Sequence, residues 1–101
     1  MANVIYGVLE EEKQRNLEMQ EVYKKEIESL CKGSIMARKI SGKKYYYLKY
    51  RDDGKVKQKY IGKDEEKIKS LEKEIKKRKK YEEILRRLKK EYRMICKIVK
   101  D

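Results

Sequence analysis

The period of apolar residues changes twice along this chain. Over residues 3–32, Ile5, Leu9, Met19, Tyr23, Ile27 and Leu30 recur, with three- and four-residue steps in the second half. That spacing puts them on one face of a helix. Asn3 can cap its start, and Gly33 stops it, because glycine enters the left-handed backbone region at no steric cost. The stretch from Glu10 to Asn16 is polar and Gly7 lowers helix propensity, so the first turns read as a separate or frayed piece.

From residue 34 to 61 the period falls to two. "SIMARKI", "KKYYYLKYR" and "KVKQKYI" read as three strands, joined at Ser41-Gly42 and at Asp52-Asp53-Gly54. A two-residue first loop pairs Ile40 with Lys43, Arg38 with Tyr45 and Met36 with Tyr47. For the second hairpin the pattern predicts a three-residue loop with Gly54 left-handed, pairing Arg51 with Lys55, Lys49 with Lys57 and Tyr47 with Lys59. A two-residue Asp53-Gly54 loop would set Leu48 beside Lys59. A slip of one residue exchanges the faces, so that alternative would mix polar and apolar positions. In the expected register Ile35, Ala37, Tyr46, Leu48, Tyr50, Val56 and Tyr60 face a helix. Arg38, Tyr45, Tyr47, Lys49, Arg51, Lys55, Lys57 and Lys59 face water.

Residues 65–99 return to helical spacing. Asp64 caps the start, and Glu65 and Glu66 suit the positive end of the helix dipole. Ile68, Leu71, Ile75, Tyr81, Leu85, Leu88, Tyr92, Ile95 and Val99 follow at steps of 3, 4, 6, 4, 3, 4, 3 and 4. The six is two threes through Arg78, a stammer in a heptad seam. The block "KKRKK", residues 76–80, lies there, and a break into two helices is the alternative. At ~1.5 Å per residue such a helix outreaches a three-stranded sheet, so its second half must pair with helix one, another subunit, or both. The fold class is therefore α+β: N-terminal helix over 1–32, three-stranded antiparallel sheet over 34–61 and long helix over 65–99, in a single domain.

Charge sharpens this picture. The chain has 101 residues and a net charge of +12. Residues 1–32 carry −2, residues 33–63 carry +8, and residues 64–101 carry +6. A localised excess is the footprint of a polyanion binder. Five of the nine tyrosines fall among the lysines and arginines of residues 43–63. Tyr46, Tyr50 and Tyr60 read as amphipathic core residues. Tyr45 and Tyr47 have two readings: contacts to sugars or bases, or shields stacked on lysine stems. The basic block 76–80 reads either as a continuation of the contact or as a solvated helix face.

Other chemistries have no support. With no histidine and only Cys31 and Cys96, far apart, no zinc site can be assembled; the carboxylates sit in helical surface patterns such as "EEEK" and "KDEEK", which read as solvated faces and partners to lysine; and the dispersed glycines form no phosphate loop. The expectation is a non-enzyme with no metal and no cofactor. The cysteines read as reduced, buried thiols of a cytoplasmic protein, with a disulfide between the long helices as the alternative. The early turn to acidic residues at "EEEK" gives the expectation of no signal peptide, and no apolar run in the sequence approaches the ~20 residues of a membrane span.

The segment "GSIMARKISGKKYYYLKYRDDGKVKQKYIGK" resembles a pattern in small uncharacterised proteins of bacteria and their mobile elements, and is similar to segments near the N-terminus of some transposases. There a strand opening on GS, a YYYL-type strand and a GKV…YIGK-type strand precede a helix rich in lysine and glutamate. The resemblance covers about a third of the chain, excludes helix one, and implies a mobile-element context without a mechanism. The segment also looks like the three-stranded arm-binding domains of tyrosine-type phage integrases, which place a sheet in the major groove, although their C-terminal helix is short.

The resulting expectation is a small nucleic-acid-binding protein of phage or mobile-element type, a regulator or accessory factor, with DNA favoured over RNA and a homodimer formed through the helices. Its contact set is Arg38, Tyr45, Tyr47, Lys49, Arg51, Lys55, Lys57 and Lys59, extended by Lys76, Lys77 and Arg78. The alternative is a protein–protein module, such as an anti-CRISPR-like inhibitor that meets a nucleic-acid-bound protein complex. A third reading is a coiled-coil adaptor whose basic charge is incidental. The nucleic-acid reading as a whole, with this contact set, rests on strand parity that puts Lys49 and Lys57 on one side of the sheet.

Overall fold

A computed structural model describes residues 2–99, with side chains from Val4 onward. Helix α1 spans Ala2–Ser29, strand β1 Ser34–Ile40, β2 Lys43–Asp52, β3 Lys55–Gly62 and helix α2 Glu65–Val99. The strands form one antiparallel sheet in the order β1-β2-β3, so the α+β arrangement is as expected. Both helices run unbroken. The polar stretch of α1 does not fray it, and the "KKRKK" block does not interrupt α2. The Asn3 cap falls on a side chain outside those described. The contacts sort into two compact units: α1 with α2 from Lys80 on, and Leu30–Lys79.

In the first unit α1 and the second half of α2 pair antiparallel. Tyr23 meets Tyr81 edge-on at 5.2 Å, and Asn16 reaches Leu88. The predicted stripe of α2 is correct here: Leu88 is buried and Tyr81, Leu85, Tyr92, Ile95 and Val99 are half-buried. The stripe of α1 differs. Ile5 and Met19 are exposed, while Leu9, Lys13, Asn16, Gln20, Tyr23 and Ile27 turn inward at steps of four and three. The inner face of α1 is thus a heptad seam with polar residues in its middle, which an apolar pattern cannot reveal.

Asn16 and Gln20, each 6% exposed, are the two buried polar side chains among the described residues. Asn16 Nδ2 donates to the Leu88 carbonyl at 2.9 Å, and Gln20 Nε2 donates to Asn16 Oδ1 at 2.7 Å. One buried amide in an apolar seam sets register at some cost in stability. Asn16→Ala strands the Gln20 amide and should lower unfolding stability by about 1–2 kcal/mol in urea titration. Asn16→Leu strands the same Gln20 amide but fills the seam with apolar volume, so it should cost less than Asn16→Ala by what packing contributes. An equal loss in both variants would show that the hydrogen bonds, which neither side chain can make, are what the site supplies, and that packing adds nothing there.

The second unit is the sheet with the start of α2. Asp64 caps that helix, accepting from the Glu66 N–H at 3.0 Å through Oδ1, and its carbonyl takes the Ile68 N–H at 3.1 Å. Ile68 and Ile75, seven residues apart, are both buried. Ser34 and Ile35 line a cavity of about 270 Å³ with Glu72, Ile75, Lys76 and Lys79; of the two, Ile35 is half-buried and Ser34 exposed, which turns the Ile35 face of the sheet toward α2. Register places Ala37, Tyr46, Leu48 and Tyr50 on that same face.

Candidate nucleic-acid interface

Both hairpins turn through two residues. Ser41 and Gly42 have φ of 52° and 79°, and Asp53 and Gly54 have 51° and 76°. Two successive left-handed residues make the turn whose twist matches antiparallel strands, and Asp-Gly is among its preferred sequences. The first hairpin keeps the expected register: Ile40 faces Lys43, Arg38 faces Tyr45 and Met36 faces Tyr47. The second does not. Asp52 pairs with Lys55, Arg51 with Val56, Tyr50 with Lys57, Lys49 with Gln58, Leu48 with Lys59 and Tyr47 with Tyr60. Ile61 is the extra residue of a bulge between Tyr60 and Gly62.

This corrects the expected faces. Lys55, Lys57 and Lys59 lie on the side that meets α2, opposite Lys49, and Val56 and Tyr60 lie on the outer side. The side-chain contacts agree. Lys57 pairs with Asp52 at 2.9 Å across the helix-facing side. Burial first, and then the Glu74 carboxylate, hold the Cys31 thiol pKa above its usual value, against the smaller lowering pull of Arg78 and Lys59. On the outer side, Tyr60 and Val56 are 50% and 53% exposed. The eight-residue platform is therefore divided: Arg38, Tyr45, Tyr47, Lys49 and Arg51 remain together, and the three β3 lysines do not join them.

The slip has a physical reason. Every β3 residue from Lys55 to Tyr60 is exposed, so neither face of that strand is enforced by burial. The Asp-Gly turn then decides the register, and it tolerates Lys59 beside Leu48.

The outer face is built around Tyr47. Arg38 lies across it, with the guanidinium carbon 5.0 Å from the ring centre, and its Nη2 donates to Gln58 Oε1 at 3.0 Å. Tyr60 packs at 5.4 Å from Tyr47 and 6.4 Å from Tyr45, and Lys63 stands 4.9 Å over Tyr45. The strand positions on this face are Ser34, Met36, Arg38 and Ile40, then Lys43, Tyr45, Tyr47, Lys49 and Arg51, then Val56, Gln58 and Tyr60. None is a carboxylate. Tyr60, Gln58 and Lys63 escaped the sequence reading; the Asp53-Gly54 dipeptide was the signal that would have found the first two.

The α2 block contributes unevenly. Arg78 occupies the stammer and is half-buried, and its Nη1 donates to the Leu30 carbonyl at 2.8 Å, so this cation serves the joint after α1. Glu74 Oε1 accepts from the Cys31 N–H at 3.2 Å beside it. Lys76 and Lys79 border the cavity at Ile35, on the other side of the sheet from Tyr47, and Lys77 is exposed on the helix. Cys31 and Cys96 are free thiols and half-buried. No described helix is long and apolar enough to cross a membrane.

No curated protein matches the chain, and no solved structure matches it. The sheet that carries this outer face, with most of α1 before it and the first turns of α2 after it, falls within residues 9–70, which match the family model for the domain of unknown function DUF6788, and the chain belongs to that family.

Proposed function

We propose that this protein binds nucleic acid through the outer face of its sheet, as a regulatory or accessory factor of phage or mobile-element type and not as an enzyme. One observation carries the reading: an outer face without a carboxylate, where Arg38, Lys43, Lys49 and Arg51 surround the ring cluster of Tyr45, Tyr47 and Tyr60. Cations meet phosphates, and aromatic rings meet sugars or bases. The surface is smaller than the sequence pattern suggests, because three lysines lie on its reverse.

That reduction has a measurable consequence. About four phosphate contacts give a log–log salt slope near −3, so raising salt from about 50 to 200 mM should weaken binding by about 50- to 150-fold. Fluorescence anisotropy with generic duplex DNA, single-stranded DNA and RNA tests this. Binding to at least one, with that slope, is the expected result. The absence of binding to all three at about 50 mM salt would overturn the reading.

A second reading has its own observation. Val4, Ile5 and Val8 of α1 and Met94 and Ile98 of α2 are exposed apolar residues of the helix pair. They suit a protein partner or a second copy of the chain, and they favour a protein–protein module, such as an inhibitor of a nucleic-acid machine, if no nucleic acid binds.

A further inference from the structure

Strand β1 begins at Ser34, paired with Lys49, and Gly33 before it lies against the Lys49 carbonyl and Tyr50, so β2 runs on from Arg51 without a neighbour on that side. The space beside that overhang is a cleft of about 460 Å³ lined by Lys32, Gly33, Ser34, Lys49, Tyr50, Arg51 and Val56. Three of these are cations and none is an acid. No ion pair of Lys32, Lys49 or Arg51 occurs among the described residues, whereas Lys57 on the opposite face has Asp52. Ser34 adds a hydroxyl donor. Three uncompensated cations and a hydroxyl around an open cleft are the complement of a phosphate group.

What lies next to the cleft narrows the ligand. Tyr47 and Tyr60 form the adjacent row across the sheet, one same-face step of about 6.7 Å from the row of Ser34, Lys49 and Gln58. Tyr60 is half-exposed, and the Arg38 guanidinium lies over Tyr47. A duplex shows phosphates outside and keeps its bases stacked within, so it offers no free ring for these groups. A single strand offers a phosphate and an unstacked base within one nucleotide, and bases stack equally on aromatic rings and on guanidinium planes.

We infer that the protein takes single-stranded nucleic acid, with a backbone phosphodiester in the Lys32–Ser34–Lys49–Arg51 cleft and the neighbouring base against Tyr60 and the Arg38–Tyr47 stack. The inference rests on the proposed function and specifies its substrate, and it adds Lys32, which the strand faces alone do not supply.

The test uses the full chain and a fluorescein-labelled oligo-dT of roughly twelve nucleotides, against a mixed-sequence duplex of the same length. The single strand should bind at least ten-fold tighter than the duplex. Lys32→Gln should lower the magnitude of the salt slope by about 0.7, the value for one single-strand phosphate contact, and Lys55→Gln on the reverse face should leave it unchanged. Tyr60→Ala should weaken binding by roughly ten-fold, and Tyr60→Phe should retain most of it. Duplex binding as tight as the single strand, or an unchanged slope in Lys32→Gln with a binding parent, would overturn the cleft and leave the broader reading standing. A poly-glutamate peptide binding as tightly as the oligonucleotide would also overturn it. A parent that binds neither nucleic acid overturns both.

Discussion

Gly33→Ala should lower the stability of the protein by about 3 kcal/mol and its Tm by roughly 10–20 °C. A Cβ built at Gly33 lands 2.3 Å from the Lys49 carbonyl oxygen and 3.1 Å from Tyr50 Cβ. The close atom is backbone in the central strand, so no side-chain rotation relieves it. The residue also sits at φ +113°, where any L-amino acid is strained by roughly 1–3 kcal/mol before contacts are counted. The alternatives to a clash are to lift β1 from β2 at its first pair, Ser34 with Lys49, or to reopen the joint held by Arg78 and Glu74. Gly54→Ala isolates the backbone term. Its φ is +76° and nothing lies within 4 Å of the added Cβ, so it should cost only about 1 kcal/mol. Thermal melts and urea titrations of the two variants give the comparison. Equal costs would mean that the Lys49 carbonyl is not the obstacle.

The legible parts of this chain were those that burial or turn chemistry enforces. The α2 stripe was readable through nine positions because Ile68, Ile75 and Leu88 are buried and the others at least half-buried. The helix end was misplaced: α1 stops at Ser29, short of residue 32, and Gly33 serves instead as the positive-φ residue that lies against β2. The α1 stripe was not readable, because two of its inner positions are Asn16 and Gln20, whose burial depends on hydrogen bonds that only the tertiary pairing reveals. Nor was the continuity of α2. Arg78 at the stammer looked like a break, and it is instead a half-buried position that supplies a hydrogen bond to Leu30.

The candidate site divides along the same line. The faces of β1 and β2 were readable, since the two-residue Ser41-Gly42 turn sets their register and Ile35, Tyr46 and Leu48 alternate onto one side. The face of β3 was not, because a strand exposed from Lys55 to Tyr60 gives its polarity pattern no physical force. Polarity there argued for a three-residue loop, the Asp-Gly dipeptide for two, and the local turn won. The consequence reaches function. The acid-free outer face gains Tyr60 and Gln58 and loses three lysines.

That division makes the two faces separable by experiment, with the net charge held equal. Lys49→Gln with Arg51→Gln removes two cations from the outer face; Lys55→Gln with Lys57→Gln removes two from the reverse. All four residues are exposed, so both double variants should fold. The second loses the Lys57–Asp52 pair, a surface contact about half exposed on each partner and worth at most about 1 kcal/mol in stability. For nucleic-acid binding the two should diverge. Each lost phosphate contact removes about 1 kcal/mol of close Coulomb attraction in water, so the outer double variant should bind about 30-fold more weakly at low salt. Its salt slope should also fall to about half, because two of about four contacts are gone. The reverse double variant acts only through distance and screening, with a Debye length of about 10 Å at 0.1 M, and should stay within about three-fold of the parent. Anisotropy titrations at two salt concentrations measure both quantities. Equal losses in the two variants would mean that total charge, not the face, drives binding. A larger loss in the reverse pair would place the contact on the side of β3 that carries Lys55 and Lys57, and the outer face would then be reduced to tyrosines shielded by cations.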